Sequence, residues 1–179
     1  NPNFDSTTAL WSTQPATPGV VRFDSADSDG WSVSGSVLME FVAGTQVYGV
    51  SQCVQVGDTD DYTFGGRVRT ASPWPGAPEA FGQVQYFGST NCTTLVLGSE
   101  VLGGAVAGDT GGVWVSLPES LHTPPVGARS AYVSFLAVAG AAPSFATSFD
   151  TVSFRIELGA MFADGFETGD MSQWSASVP

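Results

Sequence analysis

Apolar and polar residues alternate with a period of two along most of this chain, and Gly, Pro, Asn or Asp interrupt the alternation at short intervals. Period two puts successive side chains on opposite faces of a strand, while a helix would group them every three to four residues. No stretch shows a convincing helical period. The pattern predicts strands over 19–24, 34–42, 47–56, 62–71, 80–88, 94–102, 112–117, 129–138 and 147–158. The glycines of 94–102 make it the weakest of these. Segments 1–18, 72–79, 103–111, 118–128 and 159–179 lack strand patterning. Antiparallel strands at this spacing, about 8–10 of them, make an all-β protein built as a β-sandwich or jelly roll.

The alternation also sorts side chains by face. Tyr62, Phe64, Gly66 and Val68 oppose Thr63, Arg67 and Arg69, and Gly82, Val84 and Tyr86 oppose Phe81, Gln83, Gln85 and Phe87. Val113, Val115 and Leu117 oppose Trp114 and Ser116. In the last strand Asp150 shares a side with Val152, Phe154, Ile156 and Leu158. Several strands thus pair an apolar face with a polar one carrying Arg, Gln and an occasional aromatic, a plausible ligand platform.

Charge narrows the function. The 179 residues hold 17 acidic and five basic side chains, a formal net charge of −12, and all five cations are arginines. Phosphate backbones and anionic lipid surfaces need clustered cations, so nucleic acid and membrane binding are excluded as partners. No apolar run approaches the length of a membrane span. Hydrophobic residues make up 42% against 12% charged, the reverse of a disordered acidic chain. The opening Asn1-Pro2-Asn3 reads as a mature or trimmed N-terminus. Two cysteines in a lysine-free, Ser/Thr/Gly-rich chain read as one disulfide, Cys53–Cys92, and hence as a secreted, extracellular protein.

A set of short motifs in order carries a family resemblance. Asn3-Phe4-Asp5 followed by Trp11, Ser34-Gly35-Ser36-Val37-Leu38, and Gln52-Cys53-Val54-Gln55-Val56 with Tyr62 come first. Trp114-Val115-Ser116 leading to Pro125-Val126-Gly127-Ala128, and then Phe149-Asp150-Thr151-Val152, follow. Together they resemble the carbohydrate-binding modules of the family 4 and 9 type in secreted bacterial proteins, over roughly residues 3–158. The resemblance implies a galactose-binding-like β-jelly roll over 1–158, with 1–18 as an extension or first strand. Residues 159–179 form a tail whose Gly165-Phe166-Glu167 through Trp174 echoes the N-terminal motif. Five large aromatics at the two ends, Phe4, Trp11, Phe162, Phe166 and Trp174, are too many for solvated tails and are expected to be buried on this domain or a neighbour.

Modules of this type also imply a structural calcium (Ca2+) between an N-terminal acid and an Asp of the last strand, here Asp5 and Asp150. An unpaired carboxylate on an apolar face is costly, and a cation coordinated by oxygens would relieve it. The acidic turn containing Asp24 and Asp27 could add ligands, although its spacing is not that of an EF-hand. A solvated acidic turn, with Asp150 bonded to backbone amides, is the alternative.

Sugar binding needs an aromatic ring against the apolar face of a pyranose, flanked by planar hydrogen-bonding groups. Arg67, Arg69, Trp74, Gln83, Gln85 and Trp114 have the right chemistry, and all but the loop residue Trp74 fall on polar strand faces. Core packing competes as the role of Trp114. Catalysis has little support: the single histidine, His122, excludes a His-based metal centre and leaves a Ser-His-Asp site no partner motif. The expected function is a secreted, non-catalytic module that binds glycan or a cell-surface or matrix partner. The alternative is a structural subunit that polymerises with itself into an extracellular filament or surface layer through its terminal segments.

Overall fold

A computed structural model describes residues 11–14, 21–30, 34–42, 47–70, 79–138 and 144–156. They form ten strands: β1 (Ser12–Gln14), β2 (Val21–Asp24), β3 (Ser36–Val42), β4 (Val47–Gln55), β5 (Tyr62–Thr70), β6 (Glu79–Phe87), β7 (Val96–Ala107), β8 (Val115–His122), β9 (Ser130–Val138) and β10 (Ser144–Ile156). Every pairing is antiparallel. One sheet has the order β1-β4-β9-β6-β7 and the other β2-β3-β10-β5-β8, here sheets A and B. The expected all-β jelly-roll sandwich is therefore what forms. Among the described residues none is helical, and no helix is long and apolar enough to cross a membrane.

Alternation builds the core between the sheets. Val50, Val84, Tyr86, Val133 and Phe135 point inward from sheet A, and Val37, Met39, Phe64, Val68 and Phe149 from sheet B. Phe135 is the hub: it stacks on Phe64 at 4.9 Å between centroids and meets Phe149 edge-on at 5.8 Å and Trp11 at 6.0 Å. Such pairs add about 0.5–1.5 kcal/mol each beyond area burial. Gly82 makes room for this cluster, since a Cβ there would collide with the Phe64 ring.

Three expectations need correction. β8 runs to His122 although 118–128 lacks strand patterning; it is a sheet edge, where Pro118 costs no ladder bond that a central strand would need. β7 reaches Ala107, past the expected 94–102, through glycines that pattern reading takes for loop. Asp150 does not share the face of Val152. The β5–β10 register shifts between Asp150 and Ser153, and Thr151 has φ 49°, so an extra residue turns Phe149 and Val152 inward and Asp150 outward. The terminal aromatics Phe4, Phe162, Phe166 and Trp174 lie outside the described residues, as does the tail 159–179.

Candidate functional site

The outward side of sheet A is organised in rows across the strands, and the three rows that follow hold no charged residue; the exposed Glu79 lies on the same side of β6, two residues beyond Phe81. The middle row runs Ser12, Ser51, Ser134 and Gln83, each opposite the next in register on β1, β4, β9 and β6. Ser51 and Ser134 are buried and share a hydrogen bond of 2.9 Å between hydroxyls, so small side chains form a recessed floor. On one side stands the row Cys53, Tyr132 and Gln85, and on the other the row Gly49, Leu136 and Phe81. The flanking rows lie four residues apart, about 13 Å at the strand rise. On β4 and β9 this leaves a strip of small side chains, here called the trough, between Cys53 and Tyr132 on one side and Leu136 on the other, with Gln83 next in the row on β6. Gln83, Gln85 and Tyr132 are half-buried, and among the described residues no hydrogen bond uses their side chains. Each glutamine amide can therefore donate and accept toward a ligand, as paired sugar hydroxyls require.

One flank of the trough is raised by a loop. The β6–β7 connection leaves β6 at Phe87 and passes over the outward side of β9. Ser130 Oγ donates to the Ser89 carbonyl at 2.6 Å and accepts the Cys92 amide at 3.1 Å, and Ser130 is fully buried beneath that segment. Cys92 then bonds to Cys53 on β4, with Cα atoms 6.0 Å apart. The expected disulfide is thus present, and it ties β6, β9 and β4 together from above.

The outward side of sheet B has a different character. Four of the five arginines lie there, each beside an acid: Arg22–Glu40 at 3.0 Å, Arg67–Asp29 at 3.4 Å, Arg69–Asp24 at 3.6 Å and Arg155–Glu119 at 3.2 Å. The Arg69 guanidinium also sits 5.0 Å from the centre of the Trp114 ring. The 24–30 segment folds over this face. Ser28 donates its amide to Asp150 at 2.7 Å, and the Thr151 amide donates to the other carboxylate oxygen at 2.7 Å. Asp150 is buried, and burial pushes its carboxyl above the ordinary carboxylate range, opposed by those amide bonds.

These contacts bear on calcium. The Asp150 oxygens already accept two N–H groups, Asp27 accepts the Asp29 amide at 2.8 Å, and Asp24 faces Arg69. Among the described residues no group of three or more acidic, His or Cys side chains is arranged to hold a metal ion. Arg67 and Arg69 add positive charge beside these carboxylates, and Asp5, the expected partner of Asp150 in a calcium site, lies outside the described residues.

The sequence-derived binding set is therefore divided. Arg67, Arg69 and Trp114 come together with Asp24 on sheet B, while Gln83 and Gln85 belong to the opposite outer face, and Trp74 lies outside the described residues. Alternation fixes a side chain's face within its own strand but not which sheet the strand joins. Tyr132, Ser51, Ser134 and Phe81 were not singled out by sequence reasoning. Their signal is the position of each opposite an inward apolar residue in 47–56, 80–88 and 129–138.

No family model and no curated protein matches this chain. Solved structures do. A carbohydrate-binding module of family 61, TmCBM61 in complex with β-1,4-galactotriose, aligns with TM-score 0.60 at 14% identity over 88% of this chain and 96% of that one. A family 4 module aligns with TM-score 0.55 at 15% identity over 88% and 98%. The enzymatically active domain of bacteriophage CBA120 tailspike protein 4 aligns with TM-score 0.55 at 10% identity over 83% of this chain, which spans only 19% of that protein. At these identities the likeness is one of fold: the chain has the two-sheet β-sandwich found in carbohydrate-binding modules.

Proposed function

We propose that this protein binds a neutral glycan laid across the strands in the trough of sheet A. One observation carries the reading: the three rows of the trough hold no charged residue, while the outer side of sheet B is lined by ion pairs. Sheet B keeps four arginines engaged with acids, whereas the trough presents the Gln83 and Gln85 amides, the Tyr132 hydroxyl and the rings of Tyr132 and Phe81. Tyr132 and Phe81 supply apolar ring surface for pyranose C–H faces, and Gln83 and Gln85 supply planar donor–acceptor pairs. The fold shared with carbohydrate-binding modules supports the same reading. The role in this reading is recognition: ring faces and amides hold a sugar, whereas glycoside hydrolysis turns on a pair of carboxyl groups. The disulfide agrees with action outside the cell.

Affinity electrophoresis through gels containing xylan, β-1,4-galactan or mixed-linkage β-glucan tests this. Retardation by at least one polysaccharide, unchanged between low and high salt, is expected, because a neutral ligand leaves no charge interaction to screen. Free migration in all three, or retardation abolished by salt, would overturn the proposal.

A further inference from the structure

The loop between β6 and β7 lies where it limits what the trough can hold. Its segment 89–92 passes above Ser130, two residues before Tyr132 on β9, and the Ser89 carbonyl and Cys92 amide are fixed by the Ser130 hydroxyl. The covalent end of the loop, Cys92, is bonded to Cys53, which sits opposite Tyr132 in the flanking row. Two residues of the loop, Cys92 and Leu95, hold positive φ (55° and 56°), conformations that need outside support in residues other than glycine. Ser89 Oγ accepts the amides of Thr93 and Thr94 at 3.3 Å, which tightens the turn further. This is a braced ridge running parallel to the trough on its Tyr132 side. On the opposite flank the described residues are strand side chains, Leu136 and Phe81.

We propose that the Cys53–Cys92 ridge is a specificity element: it selects glycan chains that carry no side group on the Tyr132 side. This rests on the trough being the glycan site. Any substituent projecting from a bound chain toward Tyr132 meets backbone that cannot yield without breaking the Ser130 hydrogen bonds or the disulfide. Steric conflict with the wrong partner separates ligands more sharply than added attraction for the right one. The ridge leaves the floor and the glutamines untouched, so a linear chain loses nothing by its presence.

The test is titration calorimetry with matched linear and substituted probes, namely xylohexaose against an arabinosylated xylo-oligosaccharide and linear β-1,4-galactan oligosaccharides against arabinosylated ones. The oxidised protein is expected to prefer the linear member of a bound pair by about ten-fold or more. In Cys53→Ser/Cys92→Ser the preference for the linear member is expected to shrink several-fold. Ser130→Ala, which frees the loop but keeps the disulfide, guards against a misfolded double variant and is expected to reduce the preference in the same direction. A preference that stays constant in both variants, or a wild-type protein that binds substituted and linear members equally, would overturn the ridge proposal while leaving the trough intact. Wild-type protein that binds no probe and no polysaccharide gel would overturn both.

Discussion

The Asp150 carboxylate accepts the Ser28 amide at 2.7 Å across 122 residues of sequence, and with it anchors the 24–30 segment to the centre of sheet B. The bond exists because the bulge at Thr151 turns Asp150 out of the core and beneath that segment. The Ser28 and Thr151 hydroxyls, 2.8 Å apart, close the same junction. A buried carboxylate is stabilised here by amide donors rather than by being kept from burial.

Removing that anchor is expected to be costly. Asp150→Ala leaves two amides without an acceptor at a site only 1% exposed, and should lower stability by about 2–3 kcal/mol in denaturant titration. A loss under about 0.5 kcal/mol would show that water replaces the carboxylate freely.

The same group has a defined pH signature. Its folded pKa is raised, chiefly by burial, so its contribution to stability is complete below the ordinary carboxylate range and is lost as pH rises through the raised value. Wild-type protein should therefore gain stability relative to Asp150→Asn as pH falls from neutral into that window. Glu40 behaves oppositely: hydrogen bonding to Arg22 lowers its pKa, and its contribution is lost as pH falls through the lowered value. A difference between wild type and Asp150→Asn that does not vary with pH would contradict this assignment.

Reduction of the disulfide should be felt in stability as well as in binding. The bond closes a loop with a sequence separation of 39, which on chain-entropy grounds stabilises by about 4 kcal/mol. Urea unfolding of Cys53→Ser/Cys92→Ser is expected to show a loss near that size. An unchanged midpoint would mean that the ridge is held by Ser130 alone.

Core geometry gives a sharper prediction at one glycine. A methyl group at Gly82 would enter the Phe64 ring, which is itself clamped by Phe135. Gly82→Ala should destabilise by about 1–3 kcal/mol despite being the smallest possible substitution. Neutral behaviour in thermal melting would show that the Phe64–Phe135 stack can shift.

Chelation bears on the acidic cluster. Asp24, Asp27 and Asp150 already have arginine or amide partners, so melting curves with chelator and with excess calcium should superimpose. A higher melting temperature in calcium would show that a cation is bound after all.

Much of this was legible in the sequence, and the exceptions have physical causes. Period two in 47–56, 62–71, 80–88 and 129–138 located β4, β5, β6 and β9 to within a residue or two, because each has one buried face. The Cys53–Cys92 pairing followed from composition. Parity alone puts Asp150 on the wrong face, because a bulge adds one residue without a sequence mark and one residue reverses parity. The pattern groups Gln83 with Arg67 because their strands look alike, while sheet membership depends on pairing between distant segments. The serine floor escaped notice for the same reason: Ser12, Ser51 and Ser134 become neighbours only through the register of β1, β4 and β9.

The central claim is that the trough of sheet A, and not the charged face of sheet B, holds the ligand. Calorimetric titration of a retarding polysaccharide into Gln83→Ala, Tyr132→Ala, Arg67→Ala and Trp114→Ala proteins tests it most directly. Affinity is expected to fall about ten-fold or more in the first two, with folding intact, and to stay within about two-fold of wild type in the last two. Loss of binding in Arg67→Ala or Trp114→Ala, with Gln83→Ala and Tyr132→Ala unaffected, would place the ligand on the opposite face and contradict the claim.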